Sequence, residues 1–170
     1  TWASFEEMHT AAKDGDPQAQ SYLGVCYQTG QGVAQDYGEA VRWFRRAADQ
    51  NDPVAQCYLG FYFLSGQGVP QEFGEAAKWF REAAEQGDPA AQFNLGMLYE
   101  TGQGVAQNYA EAVKWYHEAA EHGEPQAQFN LGVFYEQGQV VPQNYEEAVK
   151  WYRAAAEQEV APAQCNLGLC

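Results

Sequence analysis

The hexapeptide AQFNLG stands at residues 91–96 and again at 127–132, and the near copies AQSYLG (19–24), AQCYLG (55–60) and AQCNLG (163–168) keep the same interval of 36 residues. Gly24, Gly60, Gly96, Gly132 and Gly168 follow that stride without insertion, as do Trp43, Trp79, Trp115 and Trp151. A fixed period of this size, with no alternation of apolar and polar residues, constrains the chain to an all-α solenoid of two-helix units. Each unit is too small to enclose a core alone, so its apolar face must be buried against its neighbours.

Within one unit the start and stop signals are legible. Asp16, Asp52 and Asp88 precede Pro17, Pro53 and Pro89, an N-cap acceptor followed by a residue whose missing N–H costs nothing in the first turn. The helix that begins there, helix A, carries Ala19, Leu23 and Tyr27 on one face and is predicted to stop at Gly30. The linker GQGVAQ (30–35) leads to Asp36, with Glu39 three residues on, a capping box for helix B. Asn108 with Glu111 and Asn144 with Glu147 repeat it, whereas Glu72 with Glu75 is a weaker version because Glu caps poorly. Helix B carries Ala40, Phe44 and Ala47 on one face and ends near Asn51, Gly87 or Gly123.

These signals divide one array into a helix-B-like leader at 1–15, repeats at 16–51, 52–87, 88–123 and 124–159, and a partial fifth repeat, helix A alone, at 160–170. Glycine inside a helix costs about 1 kcal/mol relative to alanine, so its return in AQxxLG implies close approach between helices. Two departures occur late in the chain. Val140 replaces the second glycine of the linker, where valine resists positive φ, and Glu159, Val160, Ala161 and Pro162 replace the GDP start. A different linker conformation, and a last helix starting one residue later, at about Pro162, are the expectations.

The net charge of −14, from 23 acidic and 9 basic residues, repels phosphate backbones and anionic membrane faces. Nucleic acid is therefore a poor partner. No apolar run approaches the roughly 20 residues that span a bilayer, so the segment is expected to be soluble, without membrane insertion. Cys26, Cys57, Cys165 and Cys170 are too few and irregular for a disulfide framework and read as free, buried thiols, the alternative being a bridge between neighbouring helices. His9, His117 and His122 are scattered, and no metal-ligand set, phosphate loop, nucleophile elbow or cofactor motif occurs. An enzyme is not expected. The chain has no signal peptide or initiator methionine and stops within a repeat, so it reads as a piece of something longer.

The pattern GDPxAQxxLGxxYxxGxGVxQDYxEAxKWFxxAAEQ, carried by residues 16–159, resembles the Sel-1-like repeat, a relative of the tetratricopeptide repeat. The resemblance implies a right-handed α-solenoid superhelix of stacked antiparallel helix pairs, with A helices lining the concave side. It also implies an adaptor that holds other proteins together, mostly in bacterial periplasmic, secreted or cytoplasmic settings. One bacterial branch ties its repeats with cysteine pairs and has been linked to β-lactams. This chain has Ala47, Ala48, Ala83 and Ala84 at the end of helix B instead, which weakens both the disulfides and that link.

In such an array, positions that vary between repeats are where a ligand can be read. On helix A these are the offsets of Ser21 (Cys57, Phe93, Phe129, Cys165), Tyr22 (Tyr58, Asn94, Asn130, Asn166), Val25 (Phe61, Met97, Val133, Leu169) and Gln28 (Leu64, Glu100, Glu136). The offsets of Ser21, Val25 and Gln28 lie three to four residues apart, hence on one helical face. The candidate partner groove is accordingly Tyr22, Val25, Gln28, Tyr58, Phe61, Leu64, Phe93, Asn94, Met97, Glu100, Phe129, Asn130, Val133, Glu136 and Asn166. Asparagine can bond a peptide backbone as donor and acceptor. All nine basic residues sit on helix B or the leader, so a groove without cations favours an extended peptide or helix that is basic or apolar-aromatic. The alternatives are self-assembly through the last helix A, where Leu167 and Leu169 lack a covering helix B, and a β-lactam hydrolase.

Overall fold

A computed structural model describes residues 4–168. Its helices run α1 (Phe5–Lys13), α2 (Pro17–Thr29), α3 (Tyr37–Ala48), α4 (Pro53–Ser65), α5 (Phe73–Glu85), α6 (Pro89–Thr101), α7 (Tyr109–Glu121), α8 (Pro125–Gln137), α9 (Tyr145–Glu157) and α10 (Ala161–Asn166). There is no strand among the described residues. Helices α2, α4, α6, α8 and α10 are the A helices, and α3, α5, α7 and α9 the B helices. The chain forms two compact units, one up to Asp88 and one from Pro89. In the first, α1 packs on α2, α2 on α3, α3 on α4 and α4 on α5; in the second, α6 through α10 pack in the same consecutive manner.

The caps act as their sequence dictates. Asp16 accepts the Ala19 amide at 2.8 Å and Asp36 the Glu39 amide at 3.0 Å. Asn108 and Asn144 each accept two amides of their first turn, whereas Glu72 makes no side-chain cap bond. The reciprocal half of the capping box is replaced. The N-cap amides of Asp36, Glu72, Asn108 and Asn144 instead donate to the carbonyls of Tyr27, Phe63, Tyr99 and Tyr135 on the preceding A helix, at 2.8–2.9 Å. This bond fastens helix B to helix A across the linker. Gly30, Gly66 and Gly138 close their helices in the left-handed conformation.

The glycine of AQxxLG sits where a side chain cannot. A Cβ on Gly24 would lie 2.8 Å from the Phe44 ring, on Gly60 2.5 Å from Phe80, on Gly96 2.8 Å from Tyr116 and on Gly132 2.5 Å from Tyr152. Leu23, Leu59, Leu95 and Leu131, beside those glycines, are wholly buried. The glutamine of the same motif has a separate task. Gln20 and Gln128 are buried and donate to the carbonyls of Ala12 and Ala120 on the preceding helix, at 3.0 and 3.1 Å. Gln50, Gln86 and Gln158 in turn donate to Gln20, Gln56 and Gln128 across 30 residues of sequence, at 2.7–2.9 Å. A buried amide bonded at both ends avoids the cost of an orphan polar group and fixes the register between helices.

Two expectations, the start of the last helix and the state of the cysteines, are modified, and the different conformation expected at Val140 is found. Helix α10 begins at Ala161, 36 residues after Pro125, and not one residue later. Glu159 at φ 64° takes the place of Asn51 (67°), Gly87 and Gly123 after the earlier B helices, so the register survives without the GDP start. In the fourth linker, Val140 does not take the positive φ of Gly32 (78°), Gly68 (68°) and Gly104 (72°), as its branched side chain requires. Both ends of that linker nevertheless keep their bonds, Asn144 N–H to the Tyr135 carbonyl and Gln143 Nε2 to the Glu136 carbonyl. Among the cysteines, Cys26 and Cys57 are buried and free, whereas Cys165 is exposed and disulfide-bonded. Cys170 and Leu169 lie outside the described residues.

Candidate partner-binding surface

The backbone of the variable face is fixed by the linkers. Gln35, Gln71, Gln107 and Gln143 each turn their amide back to the carbonyl of Gln28, Leu64, Glu100 and Glu136, at 2.7–2.8 Å. The last turns of α2, α4, α6 and α8 thereby gain a donor for a carbonyl with no intrahelical partner.

In the second unit this face carries a repeated polar device. Tyr116 donates to Glu100 Oε2 at 2.6 Å, and Tyr152 to Glu136 Oε2 at 2.7 Å. Asn130 and Asn166 also interact with the Tyr116 and Tyr152 phenols. Burial, and then the carboxylate beside it, raise both phenols, Tyr152 to about 12 and Tyr116 further. In the first unit the equivalents of these tyrosines are Phe44 and Phe80, without a hydroxyl, and the equivalents of Glu100 are Gln28 and Leu64. Tyr58, at the Asn130 offset, stacks on Phe44 with ring centroids 4.5 Å apart.

The candidate residues fall into distinct environments. Tyr22 and Phe61 are exposed at 49% and 39%. Val25, Gln28, Tyr58, Leu64, Phe93, Met97, Glu100, Phe129, Asn130 and Val133 are half-buried, and Glu136 and Asn166 are exposed. Asn94 is buried, and its amide donates to the Ala90 carbonyl of its own helix at 2.7 Å. It presents nothing to a partner. Phe93 and Phe129 pack on Tyr116 and Tyr152 in tilted pairs, with centroids 5.7 and 5.8 Å apart, so one side of each ring belongs to the core. At their offset in the first repeats, Ser21 is buried and donates to the Asp52 cap at 2.9 Å, and Cys57 is buried beside Asp88.

Each unit has a cavity between consecutive A helices, and the two are equivalent. In the first it is lined by Gln28, Tyr58, Phe61, Tyr62, Ser65 and Gln67, with a volume of about 110 Å³. In the second, Glu100, Asn130, Val133, Phe134, Gln137 and Gln139 stand 72 residues on from each of these, joined by Tyr109 and Phe129, and the volume is about 320 Å³. The walls differ in chemistry. The first is neutral, and its Gln28 Oε1 and Tyr62 hydroxyl are buried without a protein hydrogen-bond partner. The second has one charged group, Glu100. Neither contains a basic residue. The cations of helix B are engaged elsewhere: Arg42 pairs with Glu39 at 2.5 Å, Lys150 with Glu147 at 3.1 Å, and Arg46, Lys78, Lys114 and Lys150 lie over tryptophan rings at 4.4–5.2 Å.

Sequence reasoning found seven of these wall residues through their variability and missed the rest. It also missed the linker glutamines and the tyrosine hydroxyls. A comparison of offsets could have found the latter, since Tyr116 and Tyr152 occur in the same two repeats as Glu100 and Glu136.

Among the described residues no group of three or more His, Cys, Asp or Glu side chains converges, and no helix is long and apolar enough to cross a membrane. His9 stacks on Phe5, His117 meets the edge of Trp151, and His122 contacts Gln92 at 3.1 Å.

Paired helices in constant register, with an invariant packing face and a variable A-helix face, define a helical repeat protein. Four consecutive segments, residues 17–52, 53–88, 89–124 and 125–160, match the Sel1 repeat, and the chain belongs to that family. Sel1 repeats are a non-enzymatic scaffold fold, and proteins built from them generally bind other proteins. The chain is similar to the protective antigen c5321 of uropathogenic Escherichia coli, which displays the same fold, with 39% identity and a TM-score of 0.93 over 98% of this chain. It spans only 36% of that antigen. A Sel1 repeat protein from Oxalobacter formigenes is also 39% identical, with a TM-score of 0.83 over 97% of this chain and 74% of its own. Among curated proteins, the DAP3-binding cell death enhancer 1 of Rattus norvegicus is 45% identical over 38 residues, 22% of this chain and 8% of that protein.

Proposed function

We propose that the chain is a non-catalytic adaptor segment that binds a partner protein on the face formed by its A helices. The observation that carries this reading is the pair of equivalent cavities. Both open between consecutive A helices, and most of their wall positions change between repeats, Gln67 and Gln139 excepted, while the buried leucine and the glycine of AQxxLG are the same in every repeat. Stacked repeats demand near-identical interfaces, which the invariant leucine and glycine supply, so exposed variation such as Phe61 against Val133 is open to selection by a partner. The partner is a peptide segment or helix with basic and aromatic side chains, because the walls combine aromatic rings with amides and a carboxylate and hold no cation. Each histidine has a packing or hydrogen-bonding role, which supports the absence of catalysis.

The test is affinity capture from a lysate of the source cells with the whole chain and with Phe61→Ala and Val133→Ala, beside their melting temperatures. A partner retained by the parent and lost by both variants, at unchanged melting temperature, is the expected result. A partner retained equally by all three contradicts the assignment to this face.

A further inference from the structure

We infer that the cavity of the second unit is a seat for an arginine side chain, an inference that rests on the A-helix face being the binding face. Glu100 is the sole charged residue in its wall, and one of its oxygens is already held by the Tyr116 hydroxyl, which orients the carboxylate. The other oxygen is the acceptor for a cation. Asn130 also lines the wall and brings an amide carbonyl as a second acceptor. Phe129 and the exposed ring of Tyr109 supply flat apolar faces. A planar fork of donors that stacks on aromatic rings is what this set complements, and guanidinium has both properties whereas ammonium has only the charge. The cavity of about 320 Å³ has room for such a head group and part of its stem. The chain's charge of −14 adds attraction at long range.

The equivalent cavity in the first unit is the internal comparison. It has Gln28 in place of Glu100, Tyr58 in place of Asn130 and a volume of about 110 Å³, so it offers a guanidinium neither charge nor space.

The experiment is an NMR titration of the whole chain with N-acetyl-argininamide, its lysine counterpart and its neutral isostere N-acetyl-citrulline amide. The arginine probe is expected to shift Tyr109, Phe129, Asn130 and Gln139 in a saturable way, with no comparable response at Tyr58, Phe61 and Gln67. Citrulline should bind about tenfold more weakly or worse, and so should the arginine probe to Glu100→Gln. Equal binding of citrulline, equal binding of lysine, or unsaturable shifts spread over the acidic surface would overturn the seat. The citrulline comparison needs no variant, so a misfolded Glu100→Gln leaves the result decisive. If a captured partner depends on Phe61 and Val133 while the arginine probe has no effect, the seat alone is wrong; if the partner ignores both residues, the binding face itself is wrong.

Discussion

Tyr116 and Glu100 form a hydrogen bond of 2.6 Å between helices α7 and α6, and 36 residues on Tyr152 and Glu136 form the same bond at 2.7 Å between α9 and α8. Where the ring is phenylalanine, at Phe44 and Phe80, the residue at the acidic offset is Gln28 or Leu64. The hydroxyl and the carboxylate thus occur together or not at all. Tyr116→Phe is expected to cost about 1–2 kcal/mol, because it leaves a half-buried carboxylate without its donor. Tyr116→Phe combined with Glu100→Leu reproduces the Phe80 and Leu64 pair and should recover most of that loss. Urea unfolding of the two single variants and the double variant checks it, and additive losses would show the two residues to be uncoupled.

Gly132→Ala raises intrinsic helix propensity by about 1 kcal/mol, yet its Cβ would lie 2.5 Å from the Tyr152 ring. That ring is 3% exposed and has no free space to retreat into. Overpacking is expected to win, with a net loss of about 1–3 kcal/mol in denaturant unfolding.

The N-caps offer a gain. Glu72 makes no side-chain cap bond, while Asp36 at the equivalent position accepts the Glu39 amide at 3.0 Å. Glu72→Asp should therefore stabilise by about 0.5–1 kcal/mol, and Asn108→Ala should destabilise by about 1 kcal/mol. Melting temperatures of the two variants, shifted in opposite directions, check the pair.

Alkaline pH should weaken the fold. Burial and, secondarily, the adjacent carboxylate raise Tyr116 and Tyr152, the latter from 10.0 to about 12, and burial also raises Tyr62 and Cys57. Above the ordinary value the unfolded chain gives up these protons while the folded chain keeps them. The unfolded state then binds fewer protons, and stability falls as pH rises. Stability from these groups is complete below about pH 9, near the ordinary value of the thiols, and is lost progressively as pH rises above it. Urea midpoints measured from pH 8 to 11 should decline, and Tyr116→Phe with Tyr152→Phe should make the decline shallower.

Helix existence, type and order were legible because the signals for them are local. Asp16, Asp36 and Asn108 cap the helices that follow them, and Gly30, Gly66 and Gly138 close the ones before. The close approach at Gly24, Gly60, Gly96 and Gly132 was legible from its recurrence, since nothing else repays a glycine inside a helix. Contacts between repeats were not. That Ser21 reaches the Asp52 cap, or that Gln128 reaches the Ala120 carbonyl, depends on three-dimensional juxtaposition that no single unit displays. Pro162 does not mark the start of α10, which lies one residue earlier at Ala161. The register is set by packing, and Ala163 holds it, wholly buried, where Ala127 lies in the preceding repeat.

That repeated residues build shape while varied residues build recognition can be decided by one paired measurement. Partner affinity is plotted against melting temperature for cavity variants (Phe61→Ala, Val133→Ala, Glu100→Gln) and for packing variants (Leu95→Ala, Gly132→Ala). The cavity set should lose about tenfold or more in affinity at nearly constant melting temperature, and the packing set should lose melting temperature while the remaining folded fraction binds as before. Affinity that falls only in step with melting temperature across both sets would mean that the varied face is merely another part of the core.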